Sequence, residues 1–229
     1  MTSSTAHSIV RRDPLNMSTP LLQSERSFAD HAEDIGISAQ TACILDDMRF
    51  LLQVVITQTD NNRENIDSKD QQKLITTSTW IRDRIAVLPE KNGQGSSPAN
   101  DFIYQSCRKA ALIYCKAILE LTPLSQACTL QDLNQLWSSM WRVTLSQWKK
   151  IPGIFIWVLL SANQAAQDTA HGRFLKSMLK SASFYIALQN WQIVDGSLGA
   201  FVRLQRWLRE GTVSEQSFEP LDSHNRNDQ

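Results

Sequence analysis

The sequence has no surplus of either charge: 23 Lys and Arg stand against 23 Asp and Glu in 229 residues. Phosphate contacts need an excess of Lys and Arg, so no basic arm for nucleic acid exists and only small basic patches are left. There is no Cys-x-x-Cys pair. The four cysteines, Cys43, Cys107, Cys115 and Cys128, are dispersed. A structural metal site needs its thiolates close together, and Cys107 and Cys115 would lie about 12 Å apart along a helix by its rise. All four are therefore expected as small core hydrophobes in a reducing compartment. Long apolar runs are missing too. The most apolar stretch, Ile154 to Leu160, is well short of the about 20 residues that a membrane span requires. Met1 to Ser8 has no apolar core of the kind an export signal carries, which sets the expectation of an intracellular protein without membrane contact. No segment alternates apolar and polar residues for long enough to be a strand, and no internal repeat is evident.

What remains is helical periodicity. Residues 1–40 are polar with scattered apolar positions and are expected to be mostly disordered, with Phe28 a candidate contact point. Residues 41–210 then form one helical domain, and 211–229 a disordered acidic tail. The first helix begins near Thr41 and places Cys43, Leu45, Met48, Leu52, Val55 and Ile56 on one face. Ser68 with Gln71 reads as a capping box opening a second helix, which buries Leu74, Ile75, Ser78, Ile81, Ile85 and Leu88. A third, capped by Asn100, carries Ile103, Cys107, Ala110, Ala111, Tyr114, Ala117, Ile118 and Leu121, and Thr122-Pro123 ends it. Thr129 starts a fourth, with Leu133, Trp137, Met140, Trp141, Leu145 and Trp148 on one face. Pro152 sits as an N1 proline before Gly153 to Gln167, a helix apolar all round and hence expected to be buried all round. Two more helices follow. One carries Phe174, Leu175, Met178, Leu179, Ala182, Tyr185 and Ile186. The last, capped by Asn190, carries Trp191, Val194, Leu198, Phe201, Val202, Leu204 and Leu208, and Gly211 closes it. The fold class is all-α: a single multi-helix bundle with a buried central helix and disordered termini.

Few groups suggest chemistry. Asp168 and His171 stand three apart and could orient an imidazole toward Ser161 or Ser177, but no nucleophile elbow or oxyanion loop accompanies them. Asp46-Asp47 is a carboxylate pair on adjacent helix positions, which point in different directions. Gly93-Gln94-Gly95 has no strand before it and no Gly-Lys-Ser/Thr, so it reads as a loop. Lys149, Lys150, Arg173, Lys176 and Lys180 are read as solvated surface charge, and so are Arg203, Arg206 and Arg209 around Trp207. Trp137, Trp141, Trp148 and Trp157 are expected to pack between helices. No catalytic, metal or cofactor residue is assigned, and the chain is expected not to be an enzyme.

Tyr104 to Tyr114, YQSCRKAALIY, resembles the C-R-x-A-A-x-I-Y helix of the fungal-specific transcription factor domain. That domain is the regulatory region found C-terminal to binuclear zinc-cluster modules. LWSSMW at Leu136 to Trp141 is similar to that family's Trp-containing helix, and IPGIFIWVLLSANQAA at Ile151 to Ala166 to its Pro-Gly-apolar-Trp segment. Arg173 and Phe174, Trp191, and VRLQRWL at Val202 to Leu208 follow in the family's order. The residues that carry the resemblance are Cys107, Arg108, Ala110, Ala111, Tyr114, Trp137, Pro152, Gly153, Trp157, Leu160, Arg173, Phe174, Trp191 and Trp207. They are packing patterns, not an active site. The six cysteines of the zinc cluster are not in this sequence. The resemblance implies a nuclear or nucleocytoplasmic fungal transcription regulator for metabolic genes. It would act on other transcription factors, or on itself, through helices, reaching DNA only indirectly and leaving room for a small-molecule effector. The alternatives are a helical scaffold module, a small-molecule sensor outside transcription, or a degenerate fragment of a longer factor. The cysteine spacing predicts that purified protein holds no stoichiometric zinc; one or more tightly bound ions per chain by elemental analysis would contradict it.

Overall fold

Local sequence sets where each helix begins and ends, and packing sets which faces they bury. The structure, a computed structural model, describes residues 15–60, 68–89 and 98–216. Among these residues it has ten α-helices, two short 3-10 turns and no strand. The 3-10 turns Leu15–Met17 and Ala29–His31 lead into α1 (Ala32–Ile35) and α2 (Ala39–Asp60). Then come α3 (Ser68–Ala86), α4 (Pro98–Leu119), α5 (Leu124–Ala127), α6 (Leu130–Trp141), α7 (Leu145–Trp148), α8 (Pro152–Asn163), α9 (Gly172–Gln189) and α10 (Trp191–Gln216).

The expected all-α bundle with a buried central helix is what the structure shows. Eleven residues of α8, Pro152 to Ala162, are buried. Its one hydroxyl, Ser161, donates to the Val158 carbonyl at 2.7 Å and so is satisfied within the helix. Helices α4, α5 and α9 pack around it. Helix α4 is as central as α8, touching α2, α3, α5, α6 and α8. Its small residues Ala110, Ala111 and Ala117 are fully buried and let those neighbours come close. Between the two inner helices, the Tyr114 and Trp157 rings stack at 5.4 Å, and the Tyr114 hydroxyl donates to the Trp157 carbonyl at 3.2 Å.

Several expectations need correction. Residues 15–40 are not disordered. Met17, Leu21 and Phe28 are fully buried, so this stretch is a strap across the bundle. The polar side chains of α2 hold it. Asp46 accepts from the Phe28 and Ala29 amides at 2.7 and 3.0 Å, Arg49 donates to the Arg26 carbonyl at 2.8 Å, and Gln53 to that of Leu21 at 2.9 Å. Positions 46, 49 and 53 share one helix face, which is why the four bonds of these three side chains act as one clamp. Gly153 explains the other side. A Cβ there would collide with the carbonyl oxygens of Met17 and Ser18, so only glycine lets the strap lie on α8.

Helix ends differ as well. The third predicted helix opens at Pro98, which fits a first helical turn, and not at Asn100. It ends at Leu119, and Leu121 takes a left-handed φ of 48°. The fourth predicted helix is two. Thr144 and Gln147 form a second capping box that restarts the chain as α7, a signal the apolar spacing hid. Gly211 does not close the last helix, which runs to Gln216. Cys43, Ile75, Leu145, Leu198 and Val202, placed on buried faces by spacing, are all on the surface. The Asn-rich stretch at 61–66, Gly93-Gln94-Gly95, and residues 1–14 and 217–229 lie outside the described residues.

Replacing Trp157 by Ala should destabilise the protein by roughly 3–5 kcal/mol through the cavity left between α4 and α8. Trp157→Phe should cost much less, because the indole N–H has no partner to lose among the described residues. Chemical denaturation of the two variants checks the order; equal losses would overturn it.

Candidate interaction face

The residues that carry the family resemblance divide into two sets once they are placed. Cys107, Ala110, Ala111, Tyr114, Pro152, Gly153, Trp157, Leu160 and Trp207 are buried and build the core. Arg108 is also structural: Nε and Nη2 donate to the Ile85 and Ala86 carbonyls at 3.1 and 2.8 Å and so cap the C-terminus of α3. Trp137, Arg173, Phe174 and Trp191 instead lie partly or fully at the surface.

Trp137 and Trp141 are four apart on α6 and stack at 5.5 Å. His171, just before α9, stacks on Trp137 at 4.5 Å. Phe174, in the first turn of α9, meets both indoles edge-on, at 5.4 and 5.0 Å. Four rings thus join the α6 and α9 surfaces, yet Trp141 is 60% and Phe174 42% exposed. The expectation that these tryptophans pack between helices holds for Trp148 and Trp157, which are fully buried. Trp148 stacks on Phe155 at 4.6 Å and donates to the Met140 carbonyl at 3.2 Å. It does not hold for Trp141.

The other flank of α6 forms a cleft with α4. This cleft has a volume of about 730 Å³, and Phe102, Arg108, Lys109, Gln131, Asn134 and Arg142 are among its walls. Arg142 lies over the Phe102 ring at 5.1 Å, and Lys109 reaches Asp132 at 3.3 Å. Burial pushes the Asp132 carboxyl up, but hydrogen bonds from the Thr129 side chain and backbone and from Lys109 outweigh it and hold the acid below its ordinary value.

The candidates for chemistry are not brought together. The Ser161 hydroxyl is buried on its own helix, and the His171 ring lies on Trp137. No hydrogen bond joins Asp168 to His171 among the described residues. Asp46 binds the strap, and Asp47 faces the other way to pair with Arg84 at 2.5 Å. Among the described residues no cluster of three His, Cys, Asp or Glu could hold a metal, and no helix is long and apolar enough to cross a membrane. Cys107 and Cys115 are at least nine-tenths buried. Burial raises the Cys107 thiol far above its usual range and the Cys115 thiol to about 12, where Arg82 and Asp47 make smaller opposing contributions. Burial likewise pushes Cys128 up to about 11.

No family model, no curated protein and no solved structure matches this chain.

The cysteine environments predict a sharp split in reactivity. At pH 8 a maleimide should label Cys43 alone in the native protein, because only thiolates react and the raised thiols stay protonated and covered. Denaturant should expose all four. Rapid native labelling of Cys107 or Cys115, read by peptide mass, would contradict the packing.

Proposed function

We propose that this chain is a regulatory helical domain that acts through protein contacts, in the manner of the fungal-specific transcription factor region it resembles. The observation that supports this most is the four-ring cluster at the α6–α9 surface. Large aromatic rings left half in water are costly for a monomer and are the side chains that anchor protein interfaces. In this reading the chain resides in the nucleus, at least for part of the time. It associates with another transcription factor and modulates metabolic genes without reading DNA itself. Sequence readout needs a surplus of cations and an element that enters a groove, and a chain of zero net charge without a zinc-cluster module offers little of either.

A second reading is a small-molecule sensor, favoured by the α4–α6 cleft. Its walls mix cations, amides and the Phe102 ring, a composition suited to a polar or anionic effector.

The test has two parts. Binding to duplex DNA by the isolated chain should be weak, unselective and lost as salt rises. Recovery of the chain with chromatin should depend on a separate zinc-cluster protein and should fall sharply for Trp141→Ala, whose thermal midpoint should stay near that of the parent. Nanomolar, sequence-selective binding at physiological salt would defeat the proposal, and so would permanent exclusion from the nucleus.

A further inference from the structure

Helix α9 has a second face that the bundle does not use. Its buried residues, Leu175, Ala182 and Ile186, fall on the side that meets α8 and α10. On the opposite side lie Phe174, Ser177, Ser181, Phe184 and Leu188, all exposed. Their spacing is three, four, three, four. That is the a/d pattern of a helix-pairing seam, sustained for two heptads. Phe184 is 66% and Leu188 71% exposed. The serines between them are small, so a partner helix could approach the backbone closely there. The seam continues from the four-ring cluster through Phe174, and beside it lies an apolar crevice of about 50 Å³ walled by Leu145, Trp148, Phe155, Met178 and Tyr185.

The charge pattern identifies the occupant. Arg173 and Lys180 flank the seam on one side, one heptad apart, and both are exposed. Neither they nor Lys176 pair with a carboxylate among the described residues. Helix α9 contains no Asp or Glu at all. In the whole stretch 133–194, Arg142, Lys149, Lys150, Arg173, Lys176 and Lys180 stand against Asp168 alone. Of these, Arg173, Lys176 and Lys180 lie on α9 itself and Lys149 lines the crevice beside it, so a net-neutral protein presents positive charge at this surface. A second copy of the chain would bring Arg173 and Lys180 against their own counterparts, and like charges at flanking positions oppose pairing. Helix α3, where Trp80 is exposed, has no such bias, since Lys73, Arg82 and Arg84 there pair with Asp70, Asp83 and Asp47.

We infer that the outer face of α9 docks an acidic amphipathic helix from a different protein. Its apolar side would sit on Phe174, Phe184 and Leu188, and its carboxylates would face Arg173 and Lys180. The inference names the partner chemistry for the face taken above as a protein-contact face, and it rests on that reading in this respect only.

The probe is a synthetic helix of about three heptads with Leu at the a and d positions and Glu at e and g, which repels itself and stays monomeric. Its binding to the full chain is followed by fluorescence anisotropy. It should bind with an affinity that falls as salt rises. The same peptide with Lys in place of Glu should bind at least about tenfold more weakly. Phe184→Asp should weaken the acidic peptide by about 30-fold or more, as for an interface anchor. The double variant Arg173→Glu, Lys180→Glu should reverse the preference in favour of the Lys peptide. All these side chains are exposed, so circular dichroism should show unchanged folding. Equal binding of both peptides, no binding of either, or displacement by duplex DNA or anionic vesicles would overturn the inference. So would dimerisation of the chain that Phe184→Asp abolishes, since the occupant would then be a second copy. Chromatin recovery that persists while the acidic peptide fails would remove this partner chemistry and leave the regulatory reading standing.

Discussion

A helix with no polar face has to be covered from every direction, and much of this architecture follows from that need. Helix α8 is apolar from Pro152 to Leu160. Helices α4, α5 and α9 close most of its surface, and the strap of residues 15–31 reaches its N-terminal end. Each fully buried large side chain contributes roughly 1.5–3 kcal/mol, so a gap on any side would be felt. Gly153 is the point where cover and helix touch. Without a side chain there, the Met17 and Ser18 carbonyls come down onto the helix.

The strap in turn depends on polar groups that would look ordinary in an exposed helix. Asp46, Arg49 and Gln53 satisfy backbone groups that the strap's irregular path leaves without partners. Arg49 also lies 4.0 Å over the Phe28 ring. Burial draws its pKa below the ordinary value while Asp46 opposes the shift, so the guanidinium is held between a ring, a carbonyl and a carboxylate. Core packing and surface clamping are therefore one construction: Phe28 is buried because Asp46 fixes its amide, and Asp46 has that amide to bind because Phe28 is buried.

The outer surface is organised by sign and ring content. The core takes most of the aliphatic residues and three of the tryptophans, Trp148, Trp157 and Trp207. Among the rings left over, Trp137, Trp141, His171 and Phe174 gather where α6 meets α9, inside the part of the chain with almost no carboxylates. A soluble monomer gains nothing by placing Trp141, Phe174, Phe184 and Leu188 in water together. A surface that docks a partner does.

The sequence by itself determined the long helices of the main domain, though not the four-residue helices α5 and α7, together with the class of the fold and the burial of α8. Periodicity of 3.6 and a Pro-Gly start are local signals, and local signals survive without coordinates. It also marked Tyr114 and Trp157 as core, because each sits in the middle of an apolar stripe. Only the tertiary structure decided the rest. The strap at 15–31 has no period to read, since its apolar residues are buried one at a time by other elements. Trp141 and Phe174 obey the same spacing as buried residues, yet they face water because α6 and α9 meet along their other sides. Asp46 and Asp47 are neighbours in sequence with unrelated partners, one in the strap and one on α3. In each case the deciding fact is which element lies alongside, and that depends on contacts between residues far apart in the chain.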